Sequence, residues 1–160
     1  MFYDSSYHTI DAKNRVFVPK RFLPELGRGS EGDVVCYLTL GFEGCLFLFS
    51  ETGFESALER LNVEAFAGSE ARKMQRLFFS NTQKTALDAS GRLLIPDKLK
   101  SRIGIDKEIV MVGVADRAEI WPKERWDEFQ ASNEADYDLL DRVLCSESSR
   151  ARTNGSKEPS

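Results

Sequence analysis

The chain has 160 residues, 41% hydrophobic and 30% charged, with a formal net charge of -4. That length holds one ordinary domain or two very small ones and excludes a large multi-site enzyme, while the apolar fraction supports a packed core and excludes wholesale disorder. No apolar run approaches the roughly 20 residues that cross a bilayer, and the opening MFYDSSYHTID has neither a basic n-region nor a long apolar h-region, so we expect a cytoplasmic protein with no membrane partner.

In chain order, a strand over about 7–11 meets a turn at 12–14, and a second strand follows at 15–18. Pro19 stands where a helix can begin and Gly27 where it can close, with Pro24 making that helix short or kinked. Val34–Leu40 and Cys45–Phe49 flank Gly41-Phe-Glu-Gly44 as a hairpin. Two helices are expected next, over about 52–62 and 70–79. Thr52-Gly-Phe-Glu55 has capping-box form in the first, and Met74, Leu77 and Phe78 make an apolar stripe opposite Arg72, Lys73 and Arg76 in the second. Pro96 and Gly104 bound another helix, Ile109–Val114 and Ala118–Trp121 flank a loop around Asp116-Arg117, and helices start at Pro122 and cover about 134–145. The remaining SESSRARTNGSKEPS has no aliphatic anchor larger than alanine, so residues 146–160 are expected to be a disordered tail.

A duplication underlies this order. Asp11-Ala-Lys-Asn-Arg15-Val-Phe-Val-Pro19 returns 77 positions later as Asp88-Ala-Ser-Gly-Arg92-Leu-Leu-Ile-Pro96. The match extends downstream to Gly27 and Gly104, and resumes with Phe49-x4-Phe54 opposite Trp121-x4-Trp126. One unit of four short strands, used twice, makes the protein mainly β with short helices.

Charge follows the duplication. Residues 1–30 balance at +2 and 70–102 at +5, whereas 31–69 balance at -6 and 103–160 at -5. Both copies of D-x-x-x-R therefore lie in basic stretches, and a fold that brings them to one face creates a positive field on an acidic molecule. A mixed solvated surface is the alternative on charge alone.

The repeated turn has its own logic. Asn14 and Gly91 share a place and a tolerance for positive φ. Asp11 and Asp88 can accept backbone N–H bonds and order the loops as Asx-type turns. Arg15 and Arg92 then leave a rigid base, and guanidinium matches the O6 and N7 acceptors of guanine as well as phosphate. For one copy, an intraloop salt bridge that only fixes the turn would suffice; its repetition at the same spacing asks for a second role. Lys13, opposite Ser90, is at most a phosphate contact.

The duplicated D-x-x-x-R unit, the opening Met-Phe, Arg72-Lys-Met-Gln-Arg-Leu-Phe-Phe79, Gly91-Arg92-Leu-Leu-Ile95-Pro96 and Glu119-Ile-Trp121 together resemble the MraZ family of bacterial transcriptional regulators. The resemblance runs from residue 1 to about 130. It implies two tandem swapped-hairpin SpoVT/AbrB-like units of the double-split β-barrel type, interlocked in one chain with peripheral helices. The units would cover 5–54 and 83–126, with a helical linker at 55–82 and a C-terminal helical segment at 127–145 before the 146–160 tail. It further implies a homo-oligomeric ring of about 8–12 subunits. That ring would bind double-stranded DNA at G-rich direct repeats and regulate the chain's own operon in a division and cell-wall cluster, in association with the nucleoid. Carried over motif by motif, Arg15 and Arg92 contact DNA, with Lys13 and Asn14 beside them, and Asp11, Asp88 and Gly91 order the loops. Direct repeats suit a head-to-tail ring, and several loops engaged together supply the affinity that one subunit lacks. An AbrB-type antitoxin whose tail binds a protein toxin is the alternative function.

Other signals in the chain point to structure rather than chemistry. Gly27-Arg-Gly-Ser-Glu-Gly32 fits G-x-G-x-x-G but follows a helix and precedes a strand, the reverse of a dinucleotide site. Cys36, Cys45 and Cys145 have no C-x-x-C spacing, and His8 is the sole histidine without a metal-spaced partner, so no metal, cofactor or catalytic site is expected. Trp121, Trp126 and Phe129 read as core or interface, and the pairs Asp136/Asp138 and Glu124/Asp127 as solvated helix surface, leaving no small-molecule substrate and no enzyme.

Overall fold

A computed structural model describes residues 1–145, and the expected tail lies outside the described residues. By internal contact the chain divides into two units, Met1–Arg125 and Trp126–Ser160. Among the described residues, no helix is long and apolar enough to cross a membrane.

The first unit is built on alternation. Strand β1 (Ser5–Thr9) alternates exposed and half-buried positions, and β2 (Arg15–Phe17) follows the first turn. After a 3-10 turn at Lys20–Phe22 and the one-turn helix α1 (Leu23–Leu26), β3 (Val35–Leu40) and β4 (Leu46–Ser50) form the first hairpin. Helices α2 (Glu51–Leu58) and α3 (Ser69–Phe79) lead into the second copy: β5 (Gln83–Ala86), β6 (Arg92–Leu94), α4 (Asp97–Ile103), β7 (Glu108–Val114) and β8 (Arg117–Pro122).

The strands assemble as a six-stranded antiparallel sheet, β1-β7-β8-β4-β3-β5, and a separate two-stranded ribbon, β2-β6. Each copy's opening strand crosses over: β1 pairs with β7 of the second copy, from Ser5 opposite Val112 to Thr9 opposite Glu108. Likewise, β5 pairs with β3 of the first, from Val35 opposite Ala86 to Leu38 opposite Gln83. Exchanging repeat-related strands reproduces the same order, so the two copies interlock about a pseudo-two-fold axis. This is mainly-β architecture with short helices, and two such repeats fit tandem AbrB-like units.

Crossing over places one core under both copies. Val16, Leu38, Leu48, Leu93, Ile109 and Ile120 are all buried in it. Each large aliphatic side chain there contributes about 1.5–3 kcal/mol by leaving water. The ribbon lies over this core through Val16 and Leu93, which fixes its other face outward.

Several local expectations change in detail. Pro19 and Pro96 occupy N-cap positions rather than the first helical residue, and Pro24 leaves only a 3-10 turn plus four α residues in the first copy. Gly27 and Gly104 do close their helices with positive φ, 73° and 72°. The cap of α2 is Ser50, whose Oγ accepts from Gly53 N at 3.0 Å, not Thr52. The strand end of β4 sets that choice: once Ser50 leaves the ladder extended, its hydroxyl is the first acceptor to face the orphan N–H groups.

In the second unit, Trp126 and Phe129 of α5 (Lys123–Asn133) stack at 5.5 Å, and the chain continues through a 3-10 segment, Glu134–Leu139, into a π-helical turn, Asp141–Cys145.

Candidate functional site

Both D-x-x-x-R turns close by the same bonds. In the first, Asp11 Oδ1 accepts from the N–H groups of Lys13 and Arg15, each at 2.9 Å, and Asn14 N donates to the Asp11 carbonyl at 3.0 Å. In the second, Asp88 Oδ1 accepts from Ser90 N at 3.0 Å and Arg92 N at 2.9 Å, while Gly91 N donates to the Asp88 carbonyl at 2.9 Å. The left-handed position falls on Asn14 (φ 61°) and Gly91 (φ 81°), the residue types that reach it with least strain.

Each aspartate also holds its arginine. Arg15 Nε donates to Asp11 Oδ2 at 2.9 Å and Arg92 Nε to Asp88 Oδ2 at 2.8 Å. The fixed-turn role is therefore real, yet it uses one edge of each guanidinium. The terminal nitrogens of Arg15 are the donors left for a ligand. The backbone N–H of Arg15 or Arg92, followed by the side-chain bond and charge of the same arginine, holds the Asp11 and Asp88 carboxyls below their ordinary value of 3.8, against the opposing effect of burial.

Pairing of β2 with β6 sets the two loops side by side. Arg15 lies opposite Leu94, Val16 opposite Leu93 and Phe17 opposite Arg92. Outside the ladder, Ile95 N donates to the Asn14 carbonyl at 2.8 Å and Val18 N to the Gly91 carbonyl at 3.1 Å. Arg92 Nη1 comes within 3.9 Å of Asp11 Oδ2, an ion pair between the copies. Two arginines from distant stretches of chain thus share one outward surface.

The remaining site residues fall around this ribbon. Lys13 is exposed at the tip of its loop. Asn14, half-buried, is engaged at both ends of its amide: its Nδ2 donates to Asp97 Oδ1 at 2.6 Å and its Oδ1 accepts from Lys100 Nζ at 3.0 Å, tying the first loop to α4. Sequence reasoning missed Asp97 and Lys100 as supports of that loop. Their spacing of three is an ordinary helical one, and only the strand crossing brings them to Asn14; the duplication itself, which implies paired halves, was the available signal.

Other candidates resolve into structure. Among the described residues no group of three His, Cys, Asp or Glu side chains could hold a metal ion. Burial pushes the Cys36 and Cys45 thiols up to about 12, which keeps them protonated and inert. His8 bonds Ser6 Oγ at 2.7 Å, and burial, with Arg21 beside it, lowers its pKa. The Gly27–Gly32 segment folds on itself, Gly29 N donating to the Asp33 carbonyl at 2.7 Å, and opens no helix. Trp121 is buried in the core region of β8, and its indole donates to Glu119 Oε1 at 3.1 Å.

Comparison with known proteins agrees with the repeat. A family model described as "MraZ protein, putative antitoxin-like" matches the chain twice, over residues 1–77 and 78–143. The chain is 36% identical over 140 residues to the Transcriptional regulator MraZ of Finegoldia magna, covering 88% of this chain and 94% of that protein. It is 38% identical to the same-named protein of Carboxydothermus hydrogenoformans, with the same coverage. Against that of Lachnoclostridium phytofermentans it is 40% identical over 143 residues, 89% of this chain and 92% of the relative.

Proposed function

The chain belongs to the MraZ family of transcriptional regulators, and from that premise we propose that it binds double-stranded DNA through the paired ends of its β2–β6 ribbon. Arg15 and Arg92 are the principal contacts, Lys13 adds a phosphate contact, and Asp11, Asp88 and Gly91 hold the loops. Asn14 joins this last group rather than the contacts, because both ends of its amide are already bonded to α4. The observation that carries the reading is the juxtaposition of two arginines, each anchored through Nε by its own aspartate, on neighbouring strands of one surface ribbon. Anchoring lowers the entropy lost when guanidinium meets an acceptor, and a good bidentate contact to guanine discriminates by about 1–3 kcal/mol.

The finer reading follows from the same reasoning. One ribbon engages few phosphates, and affinity grows with the number engaged, so a ring of copies on G-rich direct repeats supplies what a single copy lacks. The regulated DNA is the chain's own upstream region, within a division and cell-wall cluster, and the protein works at the nucleoid. The domain limits offered from the sequence, 5–54 and 83–126 around a 55–82 linker and before a 127–145 segment, stand as part of this reading.

The test is a gel shift with the upstream duplex, titrated over salt, on the full chain and on Arg15→Ala/Arg92→Ala. We expect the double variant to lose about a hundredfold or more in affinity, from two guanine contacts, with unchanged circular dichroism and unchanged size by light scattering. Retained binding would eliminate the loop mechanism. The words "antitoxin-like" in the family description favour a second reading, a tail-borne contact with a toxin. Tail-dependent co-purification of a small partner checks it.

A further inference from the structure

The outward face of the β2–β6 ribbon carries more than arginine. Arg15 lies opposite Leu94 and Phe17 opposite Arg92, so four side chains form two cross-strand pairs on the face turned from the core. Between them, Val16 and Leu93 point inward and are buried, whereas Phe17 is 57% exposed and Leu94 50% exposed. A large apolar side chain on a wet ribbon contributes little to the fold, and here two stand at equivalent places in the two copies. The Arg92 guanidinium lies 5.9 Å from the centre of the Phe17 ring, which joins apolar and cationic groups into one patch.

Whatever covers this patch must accept guanidinium at two points and apolar surface at two points beside them. The floor of the DNA major groove offers that combination: it is about 12 Å wide and admits a two-stranded ribbon, guanine supplies the acceptors, and the thymine C5-methyl is its apolar group. Directly opposed side chains, as in Arg15/Leu94 and Phe17/Arg92, are about 4.5–5.5 Å apart and same-face neighbours along a strand about 6.6 Å, which is one to two base-pair steps of about 3.4 Å, so an arginine and its apolar neighbour reach neighbouring base pairs of one site. A purely apolar protein surface would instead strip water from the guanidinium donors that Asp11 and Asp88 leave unbonded and offer them no acceptor.

We propose that Phe17 and Leu94 are specificity-determining residues that pack on thymine C5-methyl groups next to the guanines met by Arg15 and Arg92. The inference rests on the DNA-binding reading above and deepens it, since guanidinium alone does not distinguish thymine from uracil.

The probe is the duplex that the full wild-type chain enriches from a randomised pool, prepared with thymine and again with deoxyuridine, which keeps the base pair and removes only the methyl. Wild type should bind the deoxyuridine duplex about fourfold more weakly for each methyl contacted, from roughly 0.8 kcal/mol per buried carbon. Phe17→Ala/Leu94→Ala should bind the thymine duplex more weakly by a similar factor and no longer distinguish the two duplexes, while Phe17→Leu restores part of the discrimination. Both side chains are exposed, so thermal unfolding should stay near wild type. Equal binding of both duplexes by wild type, or unchanged discrimination in the double variant, overturns the proposal. So does a change in oligomeric size of the variant by light scattering with discrimination intact, because the patch would then be a contact between copies. Failure to enrich any duplex, or full binding by Arg15→Ala/Arg92→Ala, sinks the DNA-binding reading itself and is told apart from the other outcomes by that arm.

Discussion

The loops Asp11–Arg15 and Asp88–Arg92 have the same internal bonds and different outside supports. In the first, Asn14 fills the left-handed position and its amide bridges Asp97 and Lys100. In the second, Gly91 takes the same backbone shape, and nothing lies within 4 Å of where a Cβ would stand. Arginine environments differ as well: Arg92 approaches both Asp88 and Asp11, whereas among the described residues Arg15 pairs with Asp11 alone. The lesson is that the carboxylate and a residue tolerant of positive φ set the turn, and that the link to α4 is an addition made on one side only.

Four experiments sharpen this contrast, beginning with the largest effect. Under the ribbon, Leu93→Ala should cost about 2–5 kcal/mol of stability and Val16→Ala less, because fewer buried carbons are lost and a smaller cavity remains; urea denaturation reads the difference. Losses of only about 0.5 kcal/mol at both positions, the scale of a surface substitution, would show that the ribbon does not rest on the core as described.

Next come the aspartates. Asp11→Ala and Asp88→Ala each remove the acceptor of two N–H groups and an arginine, but also a negative charge near the proposed duplex. Affinity for random DNA should therefore rise slightly while the ratio of specific to random binding falls about tenfold, the scale of one charge-assisted hydrogen bond. Asp11→Ala should do more harm, since its carboxylate faces both arginines. Competition gel shifts measure the ratio, and a smaller effect at Asp11 than at Asp88 would contradict the asymmetry.

Smaller still is the exchange of residues at the turn apex. Asn14→Gly loses the bridge to α4 and should destabilise the protein by about 1 kcal/mol, while Gly91→Asn should cost less, because asparagine tolerates the left-handed position and nothing crowds its Cβ. Denaturation midpoints decide between this and an equivalence of the two loops.

Acid should reveal the smallest effect. Both aspartates have folded pKa values depressed below 3.8, so the stability they confer is complete above that ordinary value and is lost as pH falls through the lower folded value. Asp11→Asn/Asp88→Asn should flatten the loss of stability below about pH 4, followed by thermal unfolding across pH.

Much of this site was legible in the chain itself, because a turn's chemistry is local. Asp, a positive-φ residue and Arg at fixed offsets predict the loop, and the second copy predicts it again. The hairpins were legible for the same reason. Strand partnership was not: periodicity says that Ser5–Thr9 is a strand, but carries no record that it pairs with Glu108–Val114. Nor could the exposure of Phe17 and Leu94 be read, since Val-Phe-Val and Leu-Leu-Ile are unbroken apolar runs in which no polar residue marks the wet face. The Thr52 capping box failed because Ser50 already stood at the strand end with its hydroxyl facing the helix.

The crossing of β1 and β5 into each other's half has a last consequence. Two separate identical polypeptides would have to carry the same residue at both apices, and would come apart on dilution. Joined end to end, the halves stay together at any concentration and are free to diverge, as Asn14 and Gly91 have done. A reader with unlike left and right hands has a front and a back, so on the proposed DNA it can recognise a heading along the double helix that a symmetric clasp would be blind to.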